Sequence, residues 1–157
     1  EKVMALKPLR KYVEGTDIAH VLNEVAEKGI VVRHVSTASG TGKPGDASNT
    51  IEIPTNASGV PLGILATDVV SLDLSRYSHT ARFHRDETTL GNPVTVVTHG
   101  FVYTNMWSGT DPTPGASAYY TATGKLTTTN TGSVVVGRFR GVPDADDYVG
   151  VDVTVRV

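Results

Sequence analysis

The sequence predicts an all-β fold: one sandwich or barrel domain with an extended N-terminal arm and one short N-terminal helix. Val and Thr, which favour pleated sheet, supply more than a quarter of the 157 residues. Turn-forming pairs such as Ser58-Gly59 and Pro114-Gly115 recur along the chain, and such spacing is typical of sandwiches and barrels. The length fits a single domain that can bury a sizeable core without disulfides.

A third observation is the strict alternation at the C-terminus. Apolar side chains occupy every second position, at Val149, Val151, Val153, Val155 and Val157. The residues between them are Gly150, Asp152, Thr154 and Arg156. A period of two gives a strand one apolar face and one wet face, so we predict a strand here with its valines in the core.

The chain begins with a predicted extended arm, residues 1–16, ahead of a β-rich domain over residues 17–157. The arm carries several cationic side chains around Pro8 and has no sustained period. One stripe with helical spacing follows it, at Ile18, Val21, Leu22, Val25 and Ala26. This spacing predicts a short helix over residues 17–28. We expect the stripe to pack on the β core, and docking on a partner subunit is the alternative.

The rest of the chain is predicted to form strands joined by loops. Strands are expected over residues 30–36, 50–54, 62–74, 93–99, 101–104, 118–122, 134–139 and 149–157. The third of these is long enough to bend or break near Asp68. Residues 38–49 read as a loop of small side chains, because their Gly and Pro content disfavours regular structure. Residues 76–87 form the most charged and aromatic patch.

Composition argues against several classes of partner. The formal net charge of −2 lacks the basic footprint of a general nucleic-acid-binding protein. No apolar run approaches the roughly 20 residues of a membrane helix, so we expect no membrane partner. The absence of Cys excludes disulfides, thiolate metal sites and Cys nucleophiles.

Candidate chemical sites are few. Residues 39–46, SGTGKPGD, resemble a phosphate-binding loop, but Thr37 stands where its first Gly belongs and Pro44 where Ser or Thr should follow Lys. His79 and His84 lie near two acidic residues, but their spacing matches no zinc signature. We interpret them as solvated or interface side chains. With no nucleophile elbow in the chain either, we expect no catalytic residue, no metal and no cofactor.

Two further clusters have structural interpretations. The acidic residues Asp144, Asp146 and Asp147 are read as a hairpin turn, since Val149 occupies the sixth position, where a calcium loop needs Gly. Several aromatic residues flank the turn from Met106 to Gly115, and interfaces concentrate aromatic side chains. Trp107 is the best of them for an interface or glycan-stacking role, and a place in the core or at its rim is the alternative.

Three segments, in this order, resemble the C-terminal half of the small capsid decoration (cement) proteins of tailed bacteriophages. They are HGFVYTNMWSGTDPTPGASAYYTATGKLT (99–127), VVVGRF (134–139) and PDADDYVGVDVTVRV (143–157). The resemblance extends more loosely upstream through PLGILATDVVSLDLSR (61–76). One departure is the turn Arg140-Gly141-Val142-Pro143, where the family tends to have a polar, Lys-rich turn.

The resemblance implies a virion structural protein and not an enzyme. Such a protein would assemble in the bacterial host cytoplasm and bind the outer surface of an icosahedral head. Its partners would be the major capsid protein and itself, as a homotrimer, and it would stabilise the capsid by clamping neighbouring subunits. A carbohydrate- or host-binding β module, with Trp107 and Tyr119 as stacking platforms, is one alternative. A tail-tube or head-completion component is another.

We assign the expected capsid or subunit interface to three parts of the chain. These are the arm, the charged patch and the aromatic turn, represented by Lys7, Leu9, Arg10, Lys11, Tyr12, Arg76, Phe83, Arg85 and Trp107.

Overall fold

The computed structural model describes residues 6–7, 15–35, 50–71 and 87–155, and all regular structure in them is β. Twelve strands occur in these ranges: β1 (Leu6–Lys7), β2 (Gly15–Leu22), β3 (Val31–His34), β4 (Thr50–Glu52), β5 (Pro61–Leu65), β6 (Asp68–Val70), β7 (Glu87–Thr89), β8 (Pro93–Thr104), β9 (Ser117–Tyr120), β10 (Leu126–Thr127), β11 (Gly137–Phe139) and β12 (Val149–Thr154). The predicted all-β class is confirmed. Within the described part, no helix is long and apolar enough to cross a membrane.

Five strands close a barrel, in the order β8-β2-β4-β3-β5 and back to β8. The β2–β4 pair is parallel and the other pairs are antiparallel. Closure occurs where Ile64 and Leu65 of β5 pair with Val97 and Val96 of β8. Of the two predicted architectures, the chain therefore adopts the barrel.

The second half of β8 leaves the barrel and pairs with β12 from His99 to Thr104. The sheet then continues through β11 and β9 to β10. On its other side, this end of β8 pairs with β1, which places Leu6 opposite Thr104 and Lys7 opposite Tyr103. We call the ladder β8-β12-β11-β9-β10 the extended sheet. Strand β8, 12 residues long, thus belongs to both the barrel and the extended sheet.

The core has two adjoining parts. One lies largely under the extended sheet and contains the two largest side chains of this cluster, Tyr120 and Phe139, with the valines of β12. The other lies in the barrel around Leu22, Ile51 and Leu65. Val149, Val151 and Val153 are fully buried and Val155 is buried, which confirms the alternation read from the sequence over 149–155.

Barrel closure depends on a glycine. A Cβ atom at Gly63 would lie 2.3 Å from the carbonyl oxygen of Val97 and 2.9 Å from a methyl carbon of Val96. Contacts this short do not occur for a real side chain, so any larger residue at position 63 would push β5 away from β8. Ile64 and Leu65, the next two residues, make the closing pairs.

A buried arginine anchors the loop between β4 and β5. Arg33 is only 6% exposed and forms an ion pair with Glu52, with 2.9 Å between Nε and the carboxylate. Its Nη1 donates to the Asn56 side chain and the Ser58 carbonyl at 2.7 and 2.6 Å. From the extended sheet, the Tyr120 hydroxyl donates to the carbonyl of Gly59 at 2.8 Å. The loop is thus held from both parts of the molecule, and the buried charge is fully paired.

The predicted helix over residues 17–28 is wrong. Residues 15–22 form β2, which pairs with β8 and β4. A one-residue bulge between Asp17 and His20 shifts the alternation of the strand, and Val25 and Ala26 of the predicted stripe lie beyond its end. Ile18 and Val25 of that stripe are 68% and 60% exposed, whereas Leu22 and Ala26 are buried. Pairing with distant strands overrides the local period.

The strand predictions fare better. The two segments predicted over 93–99 and 101–104 form one strand, β8, that continues through Gly100. The break expected near Asp68 occurs between β5 and β6. The sequence reading missed β1, β2, β7 and β10, which are two to eight residues long. The predicted loop over residues 38–49 lies outside the described residues.

Replacing Val153 by Asp is expected to destabilise the protein by several kcal/mol, because it buries an unpaired carboxylate. The neighbouring change, Asp152→Asn, should cost less than about 1 kcal/mol, since the Asp152 side chain is half-buried and its ion pair with Arg140 is exposed. Urea denaturation of both variants measures the difference. Equal losses would mean that the two faces of β12 are assigned the wrong way round.

Gly63→Ala is expected to lower the free energy of unfolding by about 1–3 kcal/mol, because its methyl group collides with the backbone of β8. Gly141→Ala is the matched control, since a Cβ atom there meets nothing within 4 Å and the backbone is not left-handed. Thermal and chemical denaturation should show little change for the control. A Gly63→Ala variant as stable as the wild type would show that β5 and β8 do not approach this closely.

Candidate functional site

One face of the extended sheet points away from the core. Because alternate residues of a strand share a face, the buried valines of β12 leave the residues between them on this side, and cross-strand pairing adds their neighbours on β8, β11 and β9. The residues of this surface are His99, Phe101, Tyr103, Ser117, Arg138, Gly150, Asp152 and Thr154. We call it the arginine–aromatic face.

Its aromatic side chains are held in place. A Cβ atom at Gly150 would lie 2.6 Å from Phe101 Cζ, so the glycine leaves room for the Phe101 ring to lie on the sheet. Tyr103 stacks on Tyr148, with 5.7 Å between ring centroids and 12° between the planes. Phe101 and Tyr103 are both half-buried. They therefore present rigid apolar area to solvent.

Two arginines lie beside these rings. Arg140, 62% exposed, forms an ion pair with Asp152. The side chain of Arg138 is exposed and makes no hydrogen bond or ion pair with any residue that the structure describes. A shallow groove of about 440 Å³ runs over both, and Pro114, Gly115, Phe139 and Asp152 complete its lining. Among the described residues, Arg140 therefore has an anionic partner in the groove and Arg138 has none.

The acidic turn between β11 and β12 borders this surface. Asp144 accepts the Tyr103 hydroxyl at 2.8 Å and the backbone N–H groups of Tyr148 and Asp146 at 2.9 and 3.0 Å. Asp147 has a left-handed φ of 62°, and its carbonyl accepts the indole N–H of Trp107 at 2.7 Å. The interpretation as a structured hairpin turn is therefore supported. No group of three or more His, Cys, Asp or Glu among the described residues is placed to hold a metal ion.

Trp107 is half-buried and packs against the core cluster under the extended sheet. Its indole N–H is used within the chain, and its backbone forms a bridge with Leu126. The side chain therefore has a structural role in fixing the acidic turn. Whether its remaining exposed part contacts a partner stays a prediction.

Most of the other predicted interface residues lie outside the described residues, namely Leu9, Arg10, Lys11, Tyr12, Arg76, Phe83 and Arg85, as do His79 and His84. The backbone of Lys7 is described, and it pairs with Tyr103 at the edge of the arginine–aromatic face. Of the two predicted interface residues that the structure describes, Lys7 thus pairs with a residue of that face, and Trp107 lies beside the acidic turn that borders it.

The sequence did not lead us to assign Phe101, Arg138 or Arg140 to the interface. A usable signal was present, because the alternation of β12 assigns Asp152 to the wet face. Pairing the predicted Gly-Arg-Phe strand with β12 as a hairpin then places Arg138 beside it. That step requires the register of the hairpin, which the turn residues alone did not fix.

A protein-family model described as XM1 gp53 minor capsid protein matches residues 16–153. The chain belongs to this family. The match runs from the start of β2 almost to the end of β12, so it includes the barrel and the extended sheet. No curated protein matches the sequence.

Membership makes the protein a structural component of a phage virion that associates with the capsid. The resemblance to capsid-associated phage proteins, read from three segments of the sequence, is thereby confirmed. The arginine–aromatic face and the acidic turn both belong to the part of the chain that the family model matches, apart from Thr154.

Tyrosines near the acidic turn have raised pKa values. The hydrogen bond to Asp144 is the main cause for Tyr103, and burial and the charge of Asp144 raise its pKa further. Burial is the main cause for Tyr148, followed by the charges of Asp146 and Asp144. Since an unfolded Tyr titrates near 10.0, the stabilisation from Tyr103 is fully present below that pH and is lost as the pH rises through the folded pKa.

Tyr103→Phe is therefore expected to lower stability slightly at pH 8, by less than about 1 kcal/mol because the hydrogen bond is exposed. The variant should also lose less stability than the wild type as the pH rises above about 10. Urea denaturation over this pH range measures both effects. Tyr119→Phe is the control for loss of a hydroxyl, since the Tyr119 hydroxyl bonds to no described residue, and its stability at pH 8 should match that of the wild type. Parallel curves for Tyr103→Phe and the wild type would contradict the prediction.

Proposed function

We propose that this protein binds the outer surface of an assembled phage head and stabilises the capsid by clamping neighbouring capsid subunits. The observation that carries the proposal is the arginine–aromatic face. Centres of protein interfaces are enriched in aromatic side chains and Arg, and this face combines Phe101 and Tyr103 with Arg138, while Arg140 lies beside it in the groove. Its place on a virion structural protein makes a capsid surface the natural partner.

The rigidity of the face favours this use. Association costs free energy for each side chain that becomes ordered, and preorganised side chains reduce that cost. Phe101 lies over Gly150 and Tyr103 is fixed by Tyr148 and Asp144, so these rings have little freedom left to lose. The face can therefore use its apolar area efficiently for binding.

Clamping follows from preferential binding to one state. A ligand that binds only the assembled lattice stabilises that lattice by mass action, and many copies around a closed shell act together. Contacts that span two capsid subunits exist only when the subunits are neighbours. We propose the major capsid protein as this partner and a homotrimer as the bound form, without contact to nucleic acid or membrane.

The N-terminal arm is proposed to supply a second contact. Because Leu6–Lys7 pairs with β8, the arm starts from the edge of the arginine–aromatic face. Each extended residue that precedes Leu6 adds about 3.3 Å to the reach of the arm. We propose that the arm contacts an adjoining subunit from this edge.

The test adds the purified protein to heads that lack it. We expect saturable binding at a fixed ratio to capsid subunits and a higher temperature of head disruption, measured by sedimentation and by release of packaged DNA. A variant without residues 1–14, which retains β2, should fold but bind heads more than tenfold more weakly, and circular dichroism controls for folding.

Binding without stabilisation would contradict clamping, and absence of binding would contradict the outer-surface location. Equal binding of the truncated chain would remove the arm from the interface.

A further inference from the structure

The groove at Arg138 is suited to bind an anion. The guanidinium group of Arg138 is exposed and pairs with no described residue, whereas the charge of its neighbour Arg140 is matched by Asp152. The groove over them, about 440 Å³ in volume, can admit a side chain or a narrow turn. Guanidinium groups bind carboxylates with two parallel hydrogen bonds, so a carboxylate on a small loop is the chemistry that this groove fits.

The same chain carries such a loop. Asp147 lies at the tip of the β11–β12 hairpin, is exposed, and its carboxylate makes no hydrogen bond or ion pair with any described residue. The Asp144 carboxylate is occupied by Tyr103, Tyr148 and Asp146, and Trp107 holds the backbone of Asp147. The tip is therefore a rigid projection that presents a carboxylate.

These two groups do not meet within one molecule. Arg138 lies opposite Asp152, and Asp147 is five residues further along the hairpin, about 16 Å at the rise of a strand. The ion pair between Arg140 and Asp152 lies beside Arg138 on the same face. Any contact between the groove and the tip must therefore join two copies.

We infer that the groove at Arg138 receives the acidic turn of a second copy of this chain, with Arg138 donating to the Asp147 carboxylate. The contact joins two different surfaces, so it is head-to-tail, and each copy offers one groove and one tip. Repetition of such a contact closes a ring when the rotation allows it. The inference deepens the homotrimer of the proposed function and rests on it for the number of copies, but not for the contact itself.

Thiol cross-linking tests the contact directly, because the chain has no Cys of its own. Ser117→Cys adds a thiol beside Arg138, and Ala145→Cys adds one in the acidic turn, while both charges are kept. In a mixture of the two variants, free in solution and bound to heads, we expect the 117–145 cross-link to dominate over 117–117 and 145–145. Absence of the 117–145 product in both settings overturns the inference.

Charge reversal provides a second test of the contact. Arg138→Asp and Asp147→Arg should each weaken self-association by at least about tenfold, and the double variant should recover most of it, because like charges oppose the contact and exchanged charges restore it. Asp147→Asn, which tolerates the left-handed backbone, repeats the loss if Asp147→Arg folds poorly. Lys125→Asp, an exposed change of equal charge, should have no effect.

Head binding separates this inference from the proposed function. The Arg138→Asp variant is compared with the double variant that also carries Asp147→Arg. If both lose head binding, the groove contacts an acidic part of the capsid and the second-copy contact is wrong. If the Arg138→Asp variant binds heads and self-associates like the wild type, the groove has no such role. If the Ser117→Cys and Ala145→Cys variants form the 117–145 cross-link in solution but the wild type does not bind heads, the inference stands and the proposed function fails.

Discussion

A Cβ atom at Gly63 would lie 2.3 Å from the carbonyl oxygen of Val97, so β5 can pair with β8 only because residue 63 has no side chain. Barrel closure follows from that pairing, since Ile64 and Leu65 join β5 to the strand that also pairs with β2. A closed barrel leaves no free edge among its members and fixes the first half of β8. The direction in which β8 leaves the barrel, and with it the position of the extended sheet, depends on this close approach.

The sequence predicted best what depends on near neighbours. The alternation over β12 identified a strand and its buried face, because a period of two is a local property. The helix over residues 17–28 failed because a bulge in β2 disturbs the same period and because the partners of β2 are distant in the chain. The role of Gly63 could not be predicted either, since it depends on the backbone of Val97, 34 positions later.

The candidate interface shows the same division. Composition pointed to cationic and aromatic residues in the arm, the charged patch and the turn at Trp107, because each of these groups is contiguous in the sequence. Arg138 and Phe101 are unremarkable in the sequence and become neighbours of Asp152 only through the register of three strands. Trp107 was noticed for its chemistry, but its hydrogen bond to Asp147 requires the fold. An interface assembled by cross-strand pairing is therefore harder to predict from the sequence than one formed by a contiguous segment.

Because β8 is a single continuous strand in both the barrel and the extended sheet, the described parts of the two cannot separate without disrupting the pairing of β8. Tyr120 and Arg33 strengthen this continuity by holding the same loop from the two sides. The two parts of the core should consequently unfold in one cooperative transition. Mechanical force applied to the arginine–aromatic face would also be transmitted to the barrel along the continuous backbone of β8.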